Sequence, residues 1–156
     1  MASGEPLPDI YAQLASAYVS LDRFEEALET ARKSMQGKVK LKEYVHIYAH
    51  CEMLAGSKDS ASRELEELLK TTPDYPPALL LAGTIFCLRE EEEKARETFL
   101  LLLKEKIRIT VPLNKYARQF HTLGKKHEAL LILNSMIENG IHDQETERLL
   151  AILQHA

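Results

Sequence analysis

Apolar residues in this chain fall in short runs spaced i, i+3, i+4, i+7, as in Tyr11, Leu14, Ala15, Tyr18 and again in Phe24, Ala27, Leu28, Ala31. That spacing puts them on one face of a helix. Within the runs, small residues return at an even interval. Ala27, Ala61, Ala95 and Ala129 stand 34 residues apart, and Ala15, Ala49, Gly83 and Ala117 keep the same step, with Ala151 continuing it. A fixed period of this length is the mark of one supersecondary unit repeated along the chain. Between the two small positions of each unit comes a break, at Asp22, Gly56, Glu90 and Gly124. Glycine accepts the positive φ that ends one helix and lets the next turn back. Each period is therefore expected to be a helical hairpin, with methyl-sized side chains where its two axes cross at the short end of the ~8–10 Å range.

The linkers agree with this reading. Pro73 follows the second helix of unit two, and Pro76 and Pro77 open the next helix, where a missing N–H costs little. Gly37 and Gly140 are placed to close the second helices of units one and four. Asp143 is expected to cap a last helix over 144–154, with Glu145 and Glu147 in its first turns. Leu149, Leu150, Ile152 and Leu153 would be its packing side, and Glu145, Glu147, Arg148 and Gln154 its wet side, as a capping helix requires. The layout expected is a leader over 1–7, four units at about 8–41, 42–75, 76–109 and 110–142, and the cap over 143–156.

These residues resemble the tetratricopeptide repeat. Its pattern asks for a small residue in the first helix, here Ala15, Ala49, Gly83 and Ala117, then an aromatic three residues on, here Tyr18, Phe86 and Phe120, with Glu52 departing from it. It also asks for an alanine in the second helix and an apolar residue four further on, here Ala31, Leu65, Phe99 and Leu133. The linker proline is met at Pro73 alone, and the tryptophan common early in the pattern is missing. The resemblance covers about residues 8–142. It implies an all-α fold, a right-handed superhelix of four hairpins plus the cap, whose first helices line a concave groove for a peptide or amphipathic helix of a protein partner.

Family register would put Gln13, Ser16, His46, His50, Leu80, Thr84, Cys87, Asn114, Arg118 and His121 in that groove. The lysine, asparagine and arginine clamp by which one subgroup holds chaperone C-termini is not reproduced. Asn114, Lys115 and Arg118 echo it in part and would suit an anionic ligand. The implied function is an adaptor, scaffold or co-chaperone-like interaction module. The alternative is a scaffold that self-associates through its terminal repeats, although the wet side of the last helix favours a monomer over a homodimer.

Composition removes other classes. A formal net charge of −4 argues against nucleic acid, whose binders present a basic face. The longest apolar run, 78–88 with Thr84 inside it, falls well short of the ~20 residues that cross a bilayer. MASGEPLPD has no basic region followed by an apolar core, so it does not read as a signal peptide. Two cysteines, Cys51 and Cys87, are too few for a disulfide framework and fit a reducing, cytoplasmic setting as small hydrophobes.

His46 and His50 have the i, i+4 spacing of a metal pair, yet Ile47 stands where an H-E-x-x-H motif has its acid, so no metal site is expected. The run REEEEKAR (89–96) reads as a solvated helix start, because no second acidic element is expected to adjoin it. KVKLK (38–42) and KEKIR (104–108) read as soluble linkers. No phosphate loop or nucleophile elbow occurs. Neither an enzyme nor a cofactor is expected.

Overall fold

The helical rhythm becomes nine α-helices and no strand among residues 7–155, the residues that the computed structural model describes. They are α1 Pro8–Ser20, α2 Phe24–Ser34, α3 Lys42–Ala55, α4 Lys58–Thr71, α5 Pro76–Leu88, α6 Glu92–Lys104, α7 Thr110–Thr122, α8 Lys126–Glu138 and α9 Gln144–Gln154. Apart from Leu7, the expected leader over 1–7 lies outside the described residues, as does Ala156. Contacts divide the chain into two compact bodies, 1–73 and 74–156.

Side-chain size explains why the helices nest. Ala27, Ala61, Ala95 and Ala129 have no exposed surface, Ala15 and Ala49 have none either, and Gly83 and Ala117 are buried. Unit three shows the trade-off at this crossing. A Cβ added to Gly83 would stand 2.7 Å from Cε1 of Phe99 and 3.2 Å from Cγ2 of Thr98. At the equivalent repeat positions the other units have alanine together with Ala31, Leu65 or Leu133, so glycine and a phenylalanine ring go together in unit three alone.

The first body stacks two hairpins. α1 packs on α2, α2 on α3, α3 on α4, and the first helices α1 and α3 lie side by side. Half-buried Tyr18 is covered by the Arg23 guanidinium, 5.1 Å from its ring centre, and Tyr11 by Lys33 at 5.6 Å. The α1–α2 turn takes its positive φ, 58°, at Asp22. The α3–α4 turn does not follow suit, for Gly56 sits at φ −122°. A side chain closes it: the buried Glu52 carboxylate accepts the Ser57 N–H at 3.2 Å and meets Arg32 at 3.3 Å, while Ser57 Oγ caps α4 through the Ser60 N–H at 3.2 Å. Glu52 thus puts a polar lock where the tetratricopeptide pattern asks for an aromatic. Gly37, expected as a left-handed helix end, has no positive φ; a Cβ there would approach Cγ of Pro8 to 3.0 Å.

In the second body α5 packs on α6, α7 on α8, and α9 on α8 and α7. Its left-handed turn residues are Glu90 (58°), Lys106 (62°), Gly124 (75°) and Gly140 (68°). Here the hairpins meet differently, because α8 rather than α7 packs on α5. The sequence of α8 permits this. Ala129, Ile132, Leu133 and Met136 are buried, while Leu131 and Ser135 form a second side that reaches toward Cys87 of α5. The last helix has the bounds expected. Asp143 and Thr146 form a capping box, in which each side chain satisfies the other's backbone N–H. Leu149 and Leu153 are buried, but Ile152 is exposed, and so is Ala151, on a side it shares with Glu147, Arg148 and His155.

Candidate functional site

Each body presents its own first-helix surface. In the first, Gln13 and Ser16 are exposed on α1, with the Gln13 amide steadied by Asp9 Oδ2 at 2.7 Å. Beside α1, α3 offers His46 and His50, both half-buried, with ring centres 6.4 Å apart and planes inclined by 30°. Burial pushes the His46 imidazole down to about 4, which keeps it neutral at neutral pH. The surface therefore combines an amide, a hydroxyl and imidazole rings, which suits hydrogen bonding to a peptide backbone more than capture of a charge. Among the described residues no group of three or more His, Cys, Asp or Glu side chains is placed to hold a metal.

In the second body the expected residues do not form one wall. Leu80, Thr84 and Cys87 of α5 are buried, which takes them out of the exposed surface that the family register assigned to them. Thr84 Oγ1 donates to the Leu80 carbonyl at 2.7 Å, so its hydroxyl is satisfied within its own helix. The Cys87 thiol donates to Ser135 Oγ of α8 at 3.3 Å, and burial pushes it up to about 11. Cys51 is likewise free and buried, pushed up to about 12.

Asn114 also leaves the exposed surface. Its Nδ2 donates to Asp143 Oδ1 at 2.9 Å and its Oδ1 accepts from Thr146 Oγ1 at 2.7 Å, so the amide docks the start of α9. Arg118 meets Glu145 at 3.4 Å, and Arg148 binds the same carboxylate at 2.8 and 2.9 Å. Two of the three groups that echo an anion clamp, Asn114 and Arg118, are thus engaged by carboxylates of the chain itself. The Thr146 N–H, with Asn114, holds the Asp143 carboxyl below its ordinary range, and Arg148 does the same for Glu145. Arg118, half of its side chain open, and His121 remain on the exposed side of α7.

One arrangement escaped the sequence. A cleft of about 160 Å³ is lined by Cys87, Leu131, Asn134 and Ser135 and by the carboxylates Glu90, Glu92 and Glu138. Glu138 is the second acidic element that the linear neighbourhood of REEEEKAR lacks, and packing of α8 on α5 delivers it. The helix start itself is as expected: Glu93 pairs with Arg96 at 2.6 Å and Glu91 with Lys94 at 3.1 Å.

No protein-family model matches the chain, and no curated protein matches it by sequence. Among solved structures it is similar to a mutant form of MamA, a tetratricopeptide-like helical repeat protein, with a TM-score of 0.60 over 95% of this chain and 86% of that one. The fold is a helical repeat. At 12% identity the likeness concerns the fold alone. No helix among the described residues is long and apolar enough to cross a membrane.

Proposed function

We propose that this chain is a tetratricopeptide-like protein-interaction module, without catalysis of its own, that takes a peptide or amphipathic helix on its first-helix surfaces. The observation that carries the reading is the joint pattern of the repeat: small residues recur every 34 positions at fully covered crossings, while Gln13 and Ser16 beside them stay open. Such a repeat buries its apolar faces in neighbouring hairpins and leaves the remaining helix faces for a partner.

Each body offers its own surface, Gln13, Ser16, His46 and His50 in the first, and Arg118 and His121 in the second. The neutral His46 imidazole and the Gln13 amide suit a peptide backbone, and Arg118 suits an acidic residue of the partner that competes with Glu145. Self-association through the terminal helix is the weaker reading. Glu147, Arg148 and His155 surround exposed Ala151 with polar surface.

The test is identification of proteins retained by the immobilised chain, repeated with the exposed residues Ser16→Arg and Arg118→Glu. Loss of the same specific proteins in at least one variant, with the helical spectrum unchanged, supports the reading. Retention undiminished in both removes these surfaces from consideration.

A further inference from the structure

The side of α6 opposite its hairpin partner carries apolar surface that the hairpin does not use. Ala95, Phe99 and Leu102 are buried and mark the inner side of the helix. Opposite them Glu97, Leu100, Leu101 and Lys104 follow i, i+3, i+4, i+7, and all four are exposed, so they form one outward stripe. Leu100 and Leu101 are 56% and 47% exposed.

The stripe has an internal symmetry of charge. Glu97 lies three residues before the leucine pair and Lys104 three after it. If a second α6 crosses the first in the opposite direction, with a two-fold axis between Leu100 and Leu101, Glu97 of each copy stands beside Lys104 of the other. The four leucines then close over the axis. One patch meeting itself in this way is what a two-fold interface requires. The charges are also available for it. Glu93 is engaged by Arg96 and Lys94 by Glu91, whereas Glu97 and Lys104 have no ion-pair partner among the described residues.

We propose that α6 is a self-association surface, pairing antiparallel with α6 of a second copy through Leu100 and Leu101 and the reciprocal Glu97 and Lys104 pairs. The stripe from Glu97 to Lys104 is about 10 Å long, so two such stripes bury far less than the roughly 800 Å² per partner of a stable interface. The dimer is therefore weak and reversible, and it appears well above low micromolar protein. This surface is separate from the first-helix surfaces, so its failure leaves the peptide-binding reading untouched.

Sedimentation equilibrium from low micromolar to near-millimolar protein tests the pairing. The wild-type chain shows a reversible dimer, and Leu101→Glu and Glu97→Lys each weaken it by roughly tenfold or more, with circular dichroism confirming the fold. The doubly reversed Glu97→Lys, Lys104→Glu chain recovers it, because both pairs are then rebuilt with opposite sign. A cross-link fixes the register. Mixing Glu97→Cys with Lys104→Cys chains under mild oxidation yields the mixed disulfide faster than either chain alone yields its own, the native thiols being buried. A wild-type chain monomeric throughout, a dimer indifferent to both single changes, or cross-linking no faster in the mixture would overturn the proposal.

Discussion

Gly83 gives the strictest test of the nesting that holds the hairpins together. In Gly83→Ala the new Cβ would meet Cε1 of Phe99 at 2.7 Å and Cδ1 at 3.1 Å, closer than carbon atoms pack. Phe99 is buried and its ring is stiff, so relief requires the helices to part or the ring to leave its rotamer. Overpacking of this kind costs about 1–3 kcal/mol. Alanine in a helix interior returns roughly 1 kcal/mol over glycine. The single change is therefore expected to destabilise by about 0–2 kcal/mol, and Phe99→Leu by about 1–2 kcal/mol through lost burial.

The decisive quantity is the coupling between them. Gly83→Ala with Phe99→Leu recreates the Ala117 and Leu133 pairing of unit four and the Ala49 and Leu65 pairing of unit two. In the double variant the overpacking is gone and the helix gain remains. It should be more stable than the sum of the singles by at least about 1 kcal/mol. Urea unfolding followed by circular dichroism on the four proteins measures this. Additivity within about 0.5 kcal/mol would refute the size-exchange account, since it would mean that the two sites do not feel each other.

The other predictions concern the polar locks and turns. Glu52→Ala strips Arg32 and the Ser57 N–H of their carboxylate and is expected to cost about 1.5–3 kcal/mol in urea unfolding, with Glu52→Gln costing less because its amide oxygen can still accept. Glu90→Gly removes a side chain from a φ of 58° and should raise stability by about 1 kcal/mol, whereas glycine at a position of ordinary helical φ lowers it. The folded pKa of His46 lies below the 6.5 of an open imidazole, so the unfolded chain binds that proton first. Its contribution, about 1–3 kcal/mol, is present above pH 6.5 and lost as pH falls toward 4. Asp143 adds a further loss below pH 3.8, for its carboxyl is held below that ordinary value. His46→Gln should flatten the decline of melting temperature between pH 6.5 and 4, and an unchanged slope would assign that decline elsewhere. Cys51 and Cys87, buried with thiols raised to about 12 and 11, should react with a thiol reagent at pH 8 much more slowly in the folded chain than in denaturant.

How far the sequence could be read depends on the range over which each feature is encoded. The hairpins were legible because their code is local and repeated: Ala27 and its counterparts state one crossing four times over, and Asp143 announces α9 within three residues. Turn geometry was half legible. Asp22 and Glu90 occupy the left-handed positions where a glycine would be looked for, whereas Gly56, which looks like the standard device, keeps a negative φ, and the Glu52 carboxylate reaches from within α3 to the Ser57 N–H. A carboxylate at a position the family fills with an aromatic was the available sign that unit two ends by another means.

The docking of one hairpin on the next is written in residues far apart, and there the family register misled. It assumes that every first helix faces the next first helix, which α1 and α3 obey, and it assigned Leu80, Thr84 and Cys87 to an open groove on that assumption. In the second body α8 takes the place beside α5. The signal lay in α8 itself. A second helix that only nests against its own first helix needs one apolar side, but Leu130, Leu131, Ile132, Leu133, Met136 and Ile137 surround this one. A helix apolar on more than one side has more than one neighbour to satisfy. Ser135 set among those residues marks where a polar partner was required, and Cys87 supplies it at 3.3 Å. The same logic applies to Asn114 and Arg118. The sequence showed an amide and a cation suited to a carboxylate, and Asp143 and Glu145, arriving on the next helix, are the carboxylates that the chain brings to them. Any acidic ligand for Arg118 must therefore compete with Glu145, which makes Glu145→Gln the change that would strengthen such binding if α7 receives it.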